Sequence, residues 1–351
     1  MNINELKMRR LTNHHLITPS DKLTVVRDLC GVQAQFMSNA IHSLKIRCRD
    51  FDEAAVGEGL VKNWTVRGTV HVFAQDDLPL FINCNGGRSY RRNEWNEPSF
   101  WNQRKCWALT PERQSYLSDV ILAALESQPR ERDELKQICR DHGMTEAEEG
   151  SMFDPWGGGI RELCERGFIN YVVQEKKAFC LSPEFTPMPE EQAELDLARR
   201  YFTAFGPATV HDAMYFFHAT SKQVRAWLEQ LPVTTAECDG RTYYCIESGR
   251  AYTGEIPRVL FLAGFDQLML GYEKKESLYL APEHMRAIFN LAGIVMPAVM
   301  LDGNIVGRWK KKGGSVTVEL FARVVQDDLS AITDKAQKLW NDITRLDIKI
   351  V

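Results

Sequence analysis

The chain has 351 residues, with 43 Lys and Arg against 47 Asp and Glu and a formal charge of −4. That length suits two or three modules. The charge excludes a uniformly basic sleeve for nucleic acid, so any surface for a polyanion has to be a local patch. The first ten residues, MNINELKMRR, hold no apolar leader, and the best apolar run, 289–301, is too short for a membrane span and contains Pro297. The nine cysteines are scattered and odd in number. The chain therefore reads as a cytoplasmic, non-membrane protein with reduced thiols.

Residues 3–17 read as a helix, and Ser20-Asp21 caps a second with Leu23, Val26 and Leu29 on one face. Gly31 interrupts it, 51–62 is expected to be a third short helix, and 64–73 is β-rich, which gives a first module over 1–80. A basic and aromatic connector, 81–110, follows. The second module, 111–190, has predicted helices at 113–126, 132–142 and 159–166, then a hairpin over 168–181 and a Pro-rich acidic linker. The third, 191–252, repeats the scheme with helices at 193–205, 209–218 and 221–230, and Asp239-Gly240 predicts a type I′ hairpin. Helices followed by a hairpin is the winged-helix pattern, here met three times without a residue-level repeat. In the last block, 253–351, strands at 295–301, 304–309 and 315–324 form a meander that turns at Asp302-Gly303 and Gly313-Gly314, and a helix at 328–343 closes it. The expected fold is helix-rich α+β, with three tandem winged-helix modules and a C-terminal region of β-meander plus helix.

Chemistry-bearing motifs are first of all missing. The sequence has no Walker loop, no GxGxxG after a strand, no HExxH, no CxxC and no GxSxG elbow, so no cofactor and no metal are expected. Gly157-Gly158-Gly159 precedes a helix and reads either as a loop or as a donor of N–H groups to a phosphate.

Five positive features remain. Gln33-Ala34-Gln35 follows Gly31. In a helix the two amides point apart, as ordinary surface polarity, whereas in an extended segment they project together. In Trp64-Thr-Val-Arg-Gly-Thr-Val-His71, Arg67 and His71 interrupt a strand-like run; they read as an exposed wing and a structural imidazole, or as contacts to a ligand that Gly68 lets come close. Arg88, Arg91, Arg92, Arg104 and Lys105 interleave with Trp95, Phe100, Trp101 and Trp107, as phosphate contacts and base stacking require; a solvated connector whose aromatics pack on the first module fits equally. Lys310, Lys311 and Lys312 sit at a hairpin tip, suited to phosphates or to plain solubility. Asp266 is a lone acid in an apolar segment, which requires either a structural partner, such as a helix cap, or a task.

Taken together, 29–35 (Leu-Cys-Gly-Val-Gln-Ala-Gln), the Arg-Gly-Thr-x-His core at 67–71, 261–266 with 270–272, and 299–309 resemble the AlkZ/YcaQ family of winged-helix DNA glycosylases, in family order over most of the chain. The resemblance implies three winged helices in a C shape around double-stranded DNA and removal of alkylated bases, N7-modified guanines and some interstrand crosslinks among them. It also implies a Gln-apolar-Gln catalytic motif, which falls on Gln33 and Gln35. Glutamine does not titrate, but a cationic N7-alkylguanine needs no strong acid to leave. Amide dipoles that orient a water and stabilise a positive sugar suffice. On this reading Gln35 orients the water, Gln33 holds the lesion or the sugar, and Asp266 is a second candidate for either task. Arg67, His71 and the connector and hairpin cations are the expected DNA contacts. The enzyme is expected to be a monofunctional monomer without lyase activity. The rival readings are a non-enzymatic winged-helix regulator, which binds duplex and releases no base, and a protein-interaction scaffold without salt-dependent DNA binding.

Overall fold

A computed structural model describes residues 1–82 and 107–351. They fall into two compact units, Met1–Glu53 with Ala198–Val351, and Ala54–Leu197. The expected helix-rich α+β composition is observed. Arg88, Arg91, Arg92, Arg104 and Lys105 lie outside the described residues.

The first unit opens with α1 (Ile3–Asn13), capped by the Asn2 side chain, and α2 (Lys22–Asp28), capped by Asp21 as expected. Cys30 and Gly31 take positive φ, 51° and 83°, and end the helical path. A two-residue extended segment, β1 (Val32–Gln33), and α3 (Met37–Lys45) follow. No capping residue marks the start of α3: its N-cap is Phe36, which supplies no capping hydrogen bond, where Ser, Thr, Asp or Asn would be expected.

In the second unit β2 (Leu60–Trp64) and β3 (Val70–Ala74) form a hairpin. The helix expected at 51–62 is absent; the chain turns repeatedly there, Gly59 has φ 71°, and strand pairing begins at Leu60. A short α4 (Leu78–Phe81) precedes α5 (Pro111–Leu125), β4 (Arg130–Glu131), α6 (Arg132–Asp141), α7 (Glu146–Met152), α8 (Gly158–Glu165), β5 (Ile169–Tyr171) and β6 (Ala178–Leu181). Strand order within the unit is β3-β2-β5-β6-β4. Leu117, Ile121, Leu135, Cys139, Leu163, Ile169 and Phe179 are its buried centre. Gly159 has a packing reason, because a Cβ there would strike the Met152 thioether.

α9 (Glu190–Ala204) leads back into the first unit, where α10 (Val210–Phe217) and α11 (Ser221–Gln230) match the expected helices to within one residue, and β7 (Thr234–Cys238) and β8 (Arg241–Cys245) flank the expected hairpin turn. Thr209 and Thr220 each close a capping box. Asp239 and Gly240 both have positive φ, 48° and 69°, as a type I′ turn demands. The unit ends in a five-stranded sheet of order β13-β12-β11-β10-β9: β9 (Val259–Leu262), β10 (Ala298–Leu301), β11 (Asn304–Lys312), β12 (Ser315–Leu320) and β13 (Arg345–Ile350). α12 (Gln267–Leu270) and α13 (Met285–Ile288) lie between β9 and β10, and α14 (Gln326–Leu339) between β12 and β13. β13 is parallel to β12 and was not expected. Phe261, Trp309, Val316, Val318, Ile332, Ala336 and Trp340 form the core between α14 and one sheet face.

Candidate active site

Of the two paths open to them in the sequence, Gln33 and Gln35 take the non-helical one: Val32 and Gln33 are extended, and a bend begins at Gln35. The buried Ala34 anchors the segment. The bend separates the two amides in accessibility, for Gln33 is 7% exposed and Gln35 is open. Among the described residues neither amide has an intramolecular hydrogen-bond partner. Each keeps an acceptor oxygen and two donor hydrogens for something else.

One structure fixes the exit of this segment. Successive turns of α3 are fastened to the β9–α12 stretch. His42 Nε2 donates to the Phe261 carbonyl at 2.7 Å, and burial pushes its pKa down to about 4. The Asn39 amide comes within 2.9 Å of where a Cβ on Gly264 would fall, so a larger residue there would push the Asn39 side chain aside. Just past α3, Arg47 clamps Asp266. Trp309 Nε1 donates to the Leu262 carbonyl at 2.8 Å and pins β9 from the sheet side. Phe265 has φ 54°, a conformation costing about 1–2 kcal/mol outside glycine, and its ring stacks on Phe36 with centroids 6.0 Å apart.

Asp266 takes the structural alternative that the sequence left open, a helix cap, and not the catalytic one. It is 1% exposed. Oδ1 accepts from Arg47 Nη2 (2.6 Å) and the Leu268 N–H (2.9 Å), and Oδ2 from Arg47 Nη1 (3.0 Å) and the Ala263 N–H (3.4 Å). A carboxylate offers about four lone-pair sites, and all are taken. Asp266 caps α12 and carries a buried ion pair, with no oxygen left for a water.

In the second unit Arg67 sits in the β2–β3 turn and is half-buried. Gly68 has φ 69° with open space where a Cβ would be, so the turn itself requires it. His71 is fully buried on β3. Its Nδ1 lies 3.0 Å from the Thr69 carbonyl and 3.1 Å from Thr65 Oγ1, and burial lowers its pKa to about 3. This neutral ring offers no surface to a phosphate. The hairpin lysines are split by strand alternation. Lys310 and Lys312 share the face opposite Trp309 and make no ion pair among the described residues. Lys311 points to the other face, where its Nζ meets Asp342 at 2.6 Å.

A model of the AlkZ-like DNA glycosylases matches residues 26–341. The chain belongs to the AlkZ-like DNA glycosylase family. It is thus a hydrolase acting on N-glycosyl bonds, and the regulator and scaffold readings give way. The interstrand DNA cross-link repair glycosylase of Streptomyces sahachiroi is 27% identical over 93% of this chain and 92% of its own length. The solved structure of the Streptomyces sahachiroi DNA glycosylase AlkZ covers all of both chains with a TM-score of 0.78 and 24% identity, a likeness of fold.

The sequence reading of this AlkZ-like glycosylase passed over Phe36, Asn39, His42 and Arg47, because α3 was not expected. One signal was available. An aromatic follows the second glutamine directly, in a polar stretch that continues Met-Ser-Asn. Among the described residues there is no metal-ligand cluster and no helix long and apolar enough to cross a membrane.

Proposed function

We propose that this glycosylase removes N7-alkylated guanines and related alkylated bases from double-stranded DNA, including bases joined across the two strands. It works as a cytoplasmic monomer with no metal or cofactor. The observation that carries the reading is the pair of amides, Gln33 and Gln35, left without intramolecular partners on a segment whose exit is rigidly held. Gln35 orients the attacking water and Gln33 holds the lesion or the sugar. Fixed dipoles are enough when the leaving base already carries a positive charge. The crosslink assignment draws support from the name of the Streptomyces relative. Winged helices over 1–80, 111–190 and 191–252, joined by the 81–110 connector and followed by 253–351, provide the DNA surface. Arg67, Lys310, Lys312 and the connector cations contact phosphates. Asp266, His71 and Lys311 support the frame.

The test is an excision assay on duplexes carrying N7- or N3-alkylated bases or one interstrand crosslink. Release of 7-methylguanine is expected, with Gln35→Ala slowing the single-turnover rate roughly 10²- to 10³-fold while duplex affinity stays. Borohydride should trap no protein–DNA adduct. Wild-type rates in both Gln33→Ala and Gln35→Ala would sink the amide assignment.

A further inference from the structure

Phe36 stands next to Gln35 and is 42% exposed. It occupies the N-cap of α3, where a small polar side chain would satisfy a free N–H and a phenyl ring satisfies none. Helix stability therefore does not account for this residue. Nor does burial, since much of the ring meets solvent.

What the ring does have is a rigid backing. Phe265 stacks beneath it, at 6.0 Å between centroids and 23° between planes. Phe265 is 7% exposed, and its N–H donates to the Val295 carbonyl at 3.1 Å. The next residue is the fully bonded Asp266, and the residue before it is Gly264, closed against Asn39. Phe36 is consequently an apolar ring packed on Phe265, 42% exposed and next in the chain to Gln35.

We infer that Phe36, backed by Phe265, is the shelf on which the alkylated base lies while its glycosidic bond is cut. A flat aromatic cation is the ligand such a shelf suits. Its π-face stacks on the phenyl ring, and its positive charge is attracted to the negative face of the same ring. A neutral guanine gains only the stacking, so the shelf favours the damaged base over the undamaged one. The inference rests on the Gln33–Gln35 reading for its location, and not on which amide orients the water.

The experiment compares equilibrium binding to two duplexes. One holds 7-methylguanine on a 2′-fluoroarabinose that resists hydrolysis. The other holds a tetrahydrofuran abasic site. Phe36→Leu should weaken binding to the base-containing duplex roughly 5- to 100-fold and leave the abasic duplex within about 2-fold, and Phe36→Trp should restore the first. KM for 7-methylguanine excision should rise in Phe36→Leu with kcat little changed. Equal loss on both duplexes, or loss on neither, overturns the shelf. Gln35→Ala run alongside separates the two ideas: if it keeps the wild-type single-turnover rate the amide reading fails, while the two-duplex comparison still decides Phe36. The melting curve of Phe36→Trp confirms that the fold tolerates substitution there.

Discussion

Arg47 closes on Asp266 with two hydrogen bonds, 2.6 and 3.0 Å, at a place where neither side chain has any exposed surface. The pair ties the end of α3 to the cap of α12 across 219 residues of sequence.

Removing one partner of such a pair strands the other charge in the interior, at about 3–5 kcal/mol. Asp266→Asn and Arg47→Met are each expected to lose about that much in urea denaturation. At low temperature, where Asp266→Asn remains folded, its single-turnover excision rate should stay within about 10-fold of wild type, whereas a catalytic acid would cost 10²-fold or more. A correctly folded Asp266→Asn protein with no excision would return this acid to the chemistry.

The three hairpin lysines should separate in salt dependence. Lys310 and Lys312 share an open face, and each phosphate contact they make contributes about −0.9 to the slope of log K against log salt. Lys310→Ala and Lys312→Ala are each expected to flatten that slope by about that amount. Lys311 is held by Asp342, so Lys311→Ala should change the slope less and cost at most about 1 kcal/mol of stability. Fluorescence anisotropy on one duplex between 50 and 200 mM salt checks all three. A Lys311 effect as large as the other two would contradict the split by strand alternation.

Stability should fall with acid earlier than carboxylates alone require. Burial holds His71 down to about 3, His42 down to about 4, and His14 well below its usual range, the last with help from Arg47 and Arg10. Unfolding releases these rings to a pKa of about 6.5. Below that pH the unfolded chain binds the extra protons, so the stability present above pH 6.5 is lost on the way down toward the folded values. Each imidazole contributes a slope of about 1.4 kcal/mol per pH unit in that window. Urea midpoints measured from pH 7.5 to 4.5 should drop accordingly, and His71→Gln should flatten the dependence of the transition that includes β3. A flat profile would mean that the rings accept protons in place.

Much of this was legible where local chemistry is self-sufficient. The helices at 209–218 and 221–230 are placed by their patterns, although their capping residues, Thr209 and Thr220, emerge only with the structure, and Asp239-Gly240 sets a turn by φ alone. The misreadings fall where tertiary packing decides. Residues 51–62 have a helical scatter of apolar side chains, yet Gly59 takes a positive φ and Leu60 joins a strand. β13 alternates Leu346, Ile348 and Ile350, a strand signal in itself, but its partner is the parallel β12, reached only through α14. At the site, the two glutamines and Asp266 were visible as residue types. Their difference in role depends on Arg47, which lies far from Asp266 in sequence.

The two compact units differ in how the chain supplies them. Ala54–Leu197 is one continuous stretch, and every one of its contacts is available once Leu197 has been made. Met1–Glu53 must wait for Ala198–Val351. During synthesis the glutamine segment emerges before Ala54–Leu197 and Ala198–Val351, yet it acquires its surroundings only after both. Until then Leu6, Leu11, Val25 and Leu44, all buried at the end, have no completed core to enter. That interval exposes Met1–Glu53 to chaperones and proteases more than Ala54–Leu197.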